Sequence, residues 1–234
     1  HEGLELEETK NEPAWENMLK NTVRPEDAPD KAEYVKIEFE KGIPEKLNGK
    51  NLNGLEMMTA LNEIGGRNGI GLVDLVENRC VGMKSRGVYE TPGGTILYYA
   101  HEQMDHLCLD RETYHYKQQI AIKMAELIYN GLWFTTLMDG IMAFNDKIEE
   151  TVTGWVQLKL YKGTMQGAGS DSKYSLYNES IASFTTGELY DHKDAQGFIT
   201  LFGLPLKVRA LMEQQNGEGQ AIIESKSFKK RPTE

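Results

Sequence analysis

The sequence has little cysteine and no long hydrophobic run, and each absence excludes a class of protein. Its 234 residues include two cysteines, Cys80 and Cys108, which are too few for a disulfide framework and fit a reducing cytoplasm. No apolar stretch approaches the roughly 20 residues that span a bilayer, and no signal peptide is recognisable. We therefore expect neither a membrane-spanning nor a secreted protein. Because His1 is an unusual first residue, we expect a longer parent chain.

The chain also lacks an excess of positive charge. Lysine and arginine total 26 against 36 aspartate and glutamate residues, which gives a formal net charge of −10. Nucleic acids and anionic membrane surfaces require a cationic face, so neither is an expected partner. What the chain does have is length and a 39% share of hydrophobic residues, enough for one or two globular domains with a sizeable core.

The spacing of apolar residues predicts a mixture of strands and helices. Val35, Ile37 and Phe39 alternate with charged residues, a period of two that indicates a half-buried strand. Further along, the patterns predict a turn and strand over 41–47, a helix capped by Asn53 and ending at Gly65-Gly66, a strand over 70–76, helices around 96–108, 116–130 and 137–148, a strand around 156–160, and a helix opening at Pro205. Because these elements do not alternate as regular βαβ units, the predicted class is α+β, with a mixed sheet, packed helices and a C-terminal amphipathic helix.

One segment concentrates groups that can bind a ligand. In order it contains Glu77 at a strand end, a loop bounded by Gly82 and Gly87 that presents Lys84, Ser85 and Arg86, then Tyr89, and Gly93-Gly94 at a helix N-terminus. A carboxylate, a phenol, two cations and backbone N–H groups on one edge suit a zwitterionic amino acid. The structural alternative is a solvated surface loop with an ordinary Glu–Arg pair.

This segment resembles a known family. Val-Glu-Asn-Arg followed by Gly-Met-Lys-Ser-Arg-Gly-Val-Tyr-Glu-Thr-Pro-Gly-Gly is similar to the most recognisable stretch of the argininosuccinate synthase C-terminal domain. Other matches follow in the same order at residues 109–112, 125–133, 159–163, 174–177 and 197–207. The resemblance covers roughly residues 1 to 214, which is too long and too ordered for chance.

Enzymes of this family join citrulline to aspartate, with Mg-ATP as a substrate and AMP and pyrophosphate as products. The resemblance implies that Glu77 and Tyr89 bind and orient citrulline. Lys84 and Arg86 lie in the same motif and are assigned to the same ligand edge. The resemblance assigns no catalytic residue, metal ligand or cofactor to this chain. In the family a C-terminal helix reaches across subunits, which implies assembly as a homotetramer.

The resemblance also divides the chain. It implies a connecting arm over 1–30, a citrulline-binding synthetase domain over 31–196, an oligomerisation helix over 197–215, and a polar tail over 216–234 that we expect to be disordered. The family's phosphate-binding loop, Ser-Gly-Gly-Leu-Asp-Thr-Ser, does not occur in the sequence. We therefore expect an N-terminal ATP-binding domain as a partner and no catalysis by this chain alone. Leu72 and the loop over 169–173 depart from the family at places where an arginine is usual.

Two other patterns resemble known binding motifs but have the wrong spacing or order for them. His101 and His106 flank acidic residues as in a zinc-protease helix, but their five-residue spacing separates them by roughly 140° around a helix, against roughly 40° for a four-residue spacing. The glycines over 66–71 precede a strand, whereas a dinucleotide fingerprint follows one. A function of another class also stays open, namely a non-catalytic oligomerisation or amino-acid-binding module. AMP formation on adding the ATP-binding half would distinguish the enzyme from the module.

Overall fold

The computed structural model describes residues 6–178, 191 and 193–217, and the chain divides between Leu176 and Tyr177 into two compact units. The helices are α1 (Trp15–Met18), α2 (Gly54–Arg67), α3 (Pro92–Cys108), α4 (Arg111–Tyr129), α5 (Thr136–Glu149), α6 (Asp194–Phe202) and α7 (Leu204–Gln215). The strands are β1 (Glu33–Glu40), β2 (Ile43–Leu47), β3 (Lys50–Asn51), β4 (Leu72–Asn78), β5 (Lys84–Glu90), β6 (Gly154–Tyr161) and β7 (Thr164–Asp171).

Five strands of the first unit form an antiparallel sheet in the order β3-β2-β1-β6-β7. The turns that join β1 to β2 and β6 to β7 are Lys41-Gly42 and Lys162-Gly163, and all four residues have positive φ. This is the type I′ geometry, whose twist matches that of the strands it connects. The predicted turn at Lys41-Gly42 is therefore confirmed.

Helices α2 and α3 cover one face of this sheet. Helix α2 begins with a capping box, in which the Asn53 side chain accepts from the Glu56 N–H and the Glu56 carboxylate accepts from the Asn53 N–H. The buried core shared with the sheet includes Val35, Ile37, Phe39, Met57, Leu61, Ile96, Met104, Val156, Leu158 and Leu160. Burying one such side chain fully stabilises the fold by roughly 1.5–3 kcal/mol, so this layer holds the first unit together.

The glycine pair at 65–66 lies inside α2, although the sequence predicted that it would end the helix. A Cβ atom added at Gly65 would lie 2.8 Å from Cβ of Pro92 and 2.9 Å from Cδ1 of Ile96, both in α3. At Gly66 it would collide with the carbonyl oxygen of Asn21. The pair therefore allows α3 and the N-terminal segment to approach α2 closely, which helix-ending patterns do not reveal.

Strands β4 and β5 form a separate two-stranded antiparallel sheet. Because side chains alternate along a strand, the hairpin has two distinct faces. The site face carries Val73, Leu75, Glu77, Ser85, Gly87 and Tyr89, and the arm face carries Leu72, Asp74, Val76, Asn78, Lys84, Arg86, Val88 and Glu90. The predicted loop between Gly82 and Gly87 is wrong, since β5 already begins at Lys84. The turn itself spans only the residues from Arg79 to Met83, joined by a backbone hydrogen bond of 2.9 Å.

The remaining elements confirm some expectations and refine others. Strand β7 was not predicted, because its side chains are mostly exposed and four of its five residues from Gly167 to Asp171 are small, so no alternation marks it. In the second unit, the predicted single helix over 197–215 is two helices, α6 and α7, which meet at Gly203. Beyond Gly217, the predicted tail lies outside the described residues. None of the helices in the described ranges is both long and apolar enough to span a membrane.

The predicted α+β class is confirmed by helices packed on separate antiparallel sheets. The strand pairings refine the expected mixed sheet, since every pairing among the described residues is antiparallel. Helices α4 and α5 pack on each other through a small cluster of their own, formed by Leu127, Met138 and Ile141. Tyr114 of α4 and Ile148 of α5 also pack against the main core.

Candidate functional site

The site face brings together the two residues that the motif predicted as a ligand pair. The phenol oxygen of Tyr89 donates a 2.8 Å hydrogen bond to Oε1 of Glu77. Tyr89 pairs in register with Val73, and Glu77 pairs with Ser85, so the hydrogen bond runs diagonally across the hairpin. The Glu77 side chain is 18% exposed, which leaves the carboxylate accessible while neighbouring groups hold it.

Arg79 and Ser85 complete this polar group; the sequence placed Ser85 in the ligand-binding segment but assigned neither residue to the ligand. Nε of Arg79 lies 3.3 Å from Oε1 of Glu77, and its Nη2 donates to the hydroxyl of Ser85 at 3.1 Å. Ser85 stands directly opposite Glu77 in the register. The period of two in β5 would have identified Ser85, since it places residues 85, 87 and 89 on one face. The site face therefore presents a carboxylate, a phenol, a hydroxyl and a guanidinium within one patch.

Arg86 lies on the arm face, away from Glu77 and Tyr89. Its guanidinium donates to both carboxylate oxygens of Asp74, at 2.9 and 2.7 Å, and to the backbone carbonyls of Glu8 and Asn11, at 3.2 and 2.9 Å. These bonds lower the pKa of Asp74 and raise that of Arg86. With only 9% of its side chain exposed, Arg86 fastens the N-terminal segment to the hairpin.

Other contacts hold the same segment against the arm face. Val88 is fully buried in a small cluster with Leu6 and Met18. The carboxylate of Glu90 accepts hydrogen bonds from the backbone N–H groups of Lys20 and Asn21, at 2.8 to 3.1 Å. The two faces of the hairpin thus have different partners, because one binds the chain's own N-terminal segment and the other bears the polar patch.

Two further elements of the predicted ligand edge lie apart from the Glu77–Tyr89 pair. Lys84 is on the arm face, where its ammonium donates to the Asn78 side chain at 2.8 Å. At the start of α3, the Gly93 N–H donates to the Asn62 side chain at 2.9 Å, so this group is already engaged. The sequence order placed these groups together, but the alternation of β5 separates them.

Comparison with known proteins identifies the family. Residues 1–209 match the family described as the arginosuccinate synthase C-terminal domain. The chain belongs to this family. It is 59% identical over 215 residues to the argininosuccinate synthase of Brachyspira hyodysenteriae and 59% identical over 216 residues to that of Acetivibrio thermocellus. Each match covers 92% of this chain and 53% of the relative, so the chain spans about half the length of the curated relatives it matches.

A second polar cluster of this argininosuccinate synthase domain lies between α3, α4 and α5. The Lys117 ammonium donates to Oδ2 of Asp105 at 2.6 Å and to Oε1 of Glu149. His101 lies between the same two carboxylates, with Nδ1 3.4 Å from Asp105 and Nε2 3.3 Å from Glu149. One ligand atom from each of His101, Asp105 and Glu149 falls within 4.8 Å of the others, a spacing that a metal ion could use. In this structure the Lys117 ammonium binds both carboxylates instead.

The charge of His101 depends on this cluster. Burial alone would lower its pKa, but the neighbouring Asp105 and Glu149 carboxylates outweigh burial and raise the pKa to about 9. Burial alone would likewise raise the pKa of Asp105, yet His101 and Lys117 lower it. His106, the other histidine of the zinc-like pattern, instead contacts the phenol of Tyr114 at 2.8 Å. The two side chains thus have separate partners.

The stability of the domain should fall as the pH rises from 6.5 to about 9. The folded-state pKa of His101 lies above its ordinary value of 6.5, so its contribution is complete below pH 6.5 and is lost as the pH passes the folded pKa. One proton gives a slope of at most about 1.4 kcal/mol per pH unit. Urea unfolding across this range should show the slope, and His101→Gln should flatten it. An unchanged slope in this variant, or an equal flattening in the control His106→Gln, would contradict the assignment.

The Glu77–Tyr89 pair lies on the site face, and neither side chain lines the cavity beside the His101 cluster. A cavity of about 540 Å³ opens elsewhere, beside the His101 cluster, and Lys41, Ile43, Tyr98, Glu102, Met124 and Asp146 contribute to its walls. On the site face, Val73 and Leu75 are 40% and 37% exposed beside the polar patch. The polar patch and these two apolar side chains form a partly exposed surface.

Proposed function

We propose that this chain is the citrulline-binding part of an argininosuccinate synthase, the ligase that joins citrulline to aspartate with ATP in arginine biosynthesis. The observation that carries the proposal is the hydrogen bond between Tyr89 and Glu77 on an accessible hairpin face. Its support is the match of chain and family over residues 1–209, which includes both residues. The proposed ligand pair is Glu77 and Tyr89 alone, because the contacts of Lys84 and Arg86 lie on the other face.

The chemistry of the patch suits citrulline. The Glu77 carboxylate accepts hydrogen bonds, so it can pair with the α-ammonium group or with the ureido N–H groups. Tyr89 fixes the carboxylate, and Arg79 lies close enough to keep a compensating positive charge beside it. These groups bind and orient a ground-state ligand, so their contribution to the rate comes from position rather than proton transfer. No catalytic residue is assigned to this chain.

The open site face points to a second contributor. Val73 and Leu75 are both exposed on strand β4, next to the polar patch, and apolar side chains at such a position favour coverage by protein. We propose that the part of the enzyme outside this chain covers the face and binds Mg-ATP and aspartate. The chain alone would then be inactive. Both cysteines are free thiols, which supports a cytoplasmic enzyme.

The direct test is a fused enzyme, in which this chain replaces the matching C-terminal part of the Brachyspira hyodysenteriae relative. The fused enzyme should form AMP only when citrulline, aspartate and Mg-ATP are all present, and this chain alone should form none. A folded fusion that makes no AMP would contradict the proposal. Citrulline binding without AMP formation would instead favour the amino-acid-binding module.

The second unit supports a further part of the proposal, assembly as a homotetramer. Its helices α6 and α7 expose many apolar side chains, among them Phe198, Ile199, Leu201, Phe202, Leu206 and Val208, each at least 57% exposed. Phe198 and Phe202 stack on each other, with ring centroids 5.2 Å apart. A paired apolar surface on two successive helices is typical of an interface between subunits.

Sedimentation should show this assembly directly. At micromolar concentration the fused enzyme should sediment as a tetramer, and a version that lacks residues 193–234 should sediment as a smaller species, because it loses the apolar helices. A matched substitution, Phe198→Glu with Phe202→Glu, should weaken the tetramer without deleting chain. If the deleted version keeps the mass of a tetramer, α6 and α7 do not form the interface.

A further inference from the structure

Gly87 lies beneath the ring of Tyr89 at the centre of the site face. A Cβ atom added at Gly87 would lie 3.0 Å from Cε2 of Tyr89, 3.1 Å from Cζ and 3.1 Å from the phenol oxygen. All three atoms belong to the end of the ring that carries the hydroxyl. These separations are shorter than ordinary van der Waals contact, so a methyl group at position 87 would force the hydroxyl end of the ring to shift by a few tenths of an ångström.

The direction in which the Tyr89 side chain extends explains why its contact with position 87 affects the hydrogen bond to Glu77. Its own strand partner is Val73, yet its hydroxyl bonds to Glu77, four residues further along β4. To reach Glu77 the ring must cross position 87, which stands between Tyr89 and Ser85 on the same face. Glycine leaves this path open, whereas any side chain at position 87 would press on the ring.

We propose that Gly87 is a positioning residue, whose missing side chain allows the Tyr89 phenol to reach Glu77 and hold its carboxylate for the substrate. This inference rests on the proposed function, since it assigns Gly87 to the same citrulline site. The backbone does not itself require glycine, because Gly87 is not among the residues with positive φ. An alanine therefore fits the strand and displaces only the ring.

The substitution Gly87→Ala in the fused enzyme separates this role from a structural one. Weakening the hydrogen bond from the phenol to the carboxylate should raise KM for citrulline several-fold, at most roughly tenfold, while KM for ATP stays within about twofold. Replacing a strand glycine by alanine also reduces the entropy of the unfolded chain, so the unfolding midpoint should stay equal or rise. The matched control is Gly167→Ala in β7, where the nearest heavy atom to an added Cβ is 3.9 Å away. It should leave both KM values unchanged, and its unfolding midpoint should likewise stay equal or rise.

A double-mutant cycle identifies the route of the effect. In a Tyr89→Ala background there is no ring to displace, so adding Gly87→Ala should leave KM for citrulline within about twofold of that of Tyr89→Ala alone. If the two effects multiply, Gly87 acts on the substrate directly or through the backbone, and the proposal is overturned. It is also overturned if Gly87→Ala lowers the unfolding midpoint or unfolds the chain, because Gly87 would then be a residue required for folding.

The same series distinguishes failure of this inference from failure of the proposed function. If Glu77→Gln and Tyr89→Phe raise KM for citrulline but Gly87→Ala does not, the site is right and the role of Gly87 is wrong. If none of the three changes KM for citrulline in an active fusion, the citrulline site itself is misplaced, and the inference fails with it.

Discussion

Replacing Lys117 by methionine is expected to lower the free energy of unfolding by about 3 kcal/mol, the largest stability effect that the structure predicts for a single charged residue. The side chains of Lys117, Asp105 and Glu149 are only 17%, 6% and 12% exposed. Methionine retains most of the apolar stem but removes the ammonium group. His101 would then be the one cation left between two buried carboxylates.

The predicted loss in free energy of unfolding is large because no other donor replaces the Lys117 ammonium at the two carboxylates. Among the described residues, Oδ1 of Asp105 and Oε2 of Glu149 already lack a hydrogen-bond partner, although His101 lies 3.3 Å from the latter outside hydrogen-bond geometry. Leaving a buried charge uncompensated costs more than the pair itself contributes. Substituting Asp105→Asn and Glu149→Gln together with Lys117→Met should therefore recover part of the loss.

A lysine on the same helix provides the control. Lys123 is 46% exposed and pairs with Glu126 on the surface of α4, so Lys123→Met should cost less than about 0.5 kcal/mol. Urea unfolding of the chain at pH 7 measures both values. Similar small losses for the two variants would contradict the buried network, since they would mean that water reaches the Asp105 and Glu149 carboxylates freely.

Glu77→Gln in the fused enzyme is expected to raise KM for citrulline roughly 10- to 100-fold, with kcat and KM for ATP little changed. The amide keeps the size of the carboxylate but removes its charge, and hydrogen bonds to charged groups contribute about 1.5–3 kcal/mol. A residue that binds the ground state and the transition state equally affects KM rather than kcat. Tyr89→Phe should have the same direction and a smaller size, because Glu77 keeps its charge and its Arg79 neighbour.

Steady-state kinetics with each substrate varied in turn measures this effect. The control is Glu126→Gln, which makes the same chemical change at an exposed surface pair with Lys123 and should leave all constants unaltered. If Glu77→Gln raised KM for citrulline and for ATP equally, the carboxylate would act on the whole fold rather than on the citrulline site.

Local patterns predicted much of the fold. The strand with Val35, Ile37 and Phe39 and the helix capped by Asn53 are both present, because alternation and capping are set by residues close in sequence. The prediction that Gly65-Gly66 ends the helix was wrong, since the role of this pair depends on Pro92 and Asn21, which are distant in sequence. Strand β7 could not be predicted, because an exposed edge strand leaves no apolar pattern.

The candidate site was predictable in part for the same reason. The motif identified Glu77 and Tyr89, and the structure places the two side chains in hydrogen-bond contact. It did not separate them from Lys84 and Arg86, because reading residues 82–87 as a loop removed the alternation that assigns faces. The contacts of Arg86 with Glu8 and Asn11 span more than 70 residues of sequence, and no local pattern encodes them.

Equilibrium binding of labelled citrulline to the fused enzyme tests the central claim most directly, because it reports the site without the chemistry. The wild-type fusion should bind citrulline, Glu77→Gln should raise the Kd at least roughly tenfold, and Glu126→Gln should leave it unchanged. A folded Glu77→Gln fusion that binds citrulline with the wild-type Kd would contradict the assignment of the hairpin's site face as the citrulline-binding surface.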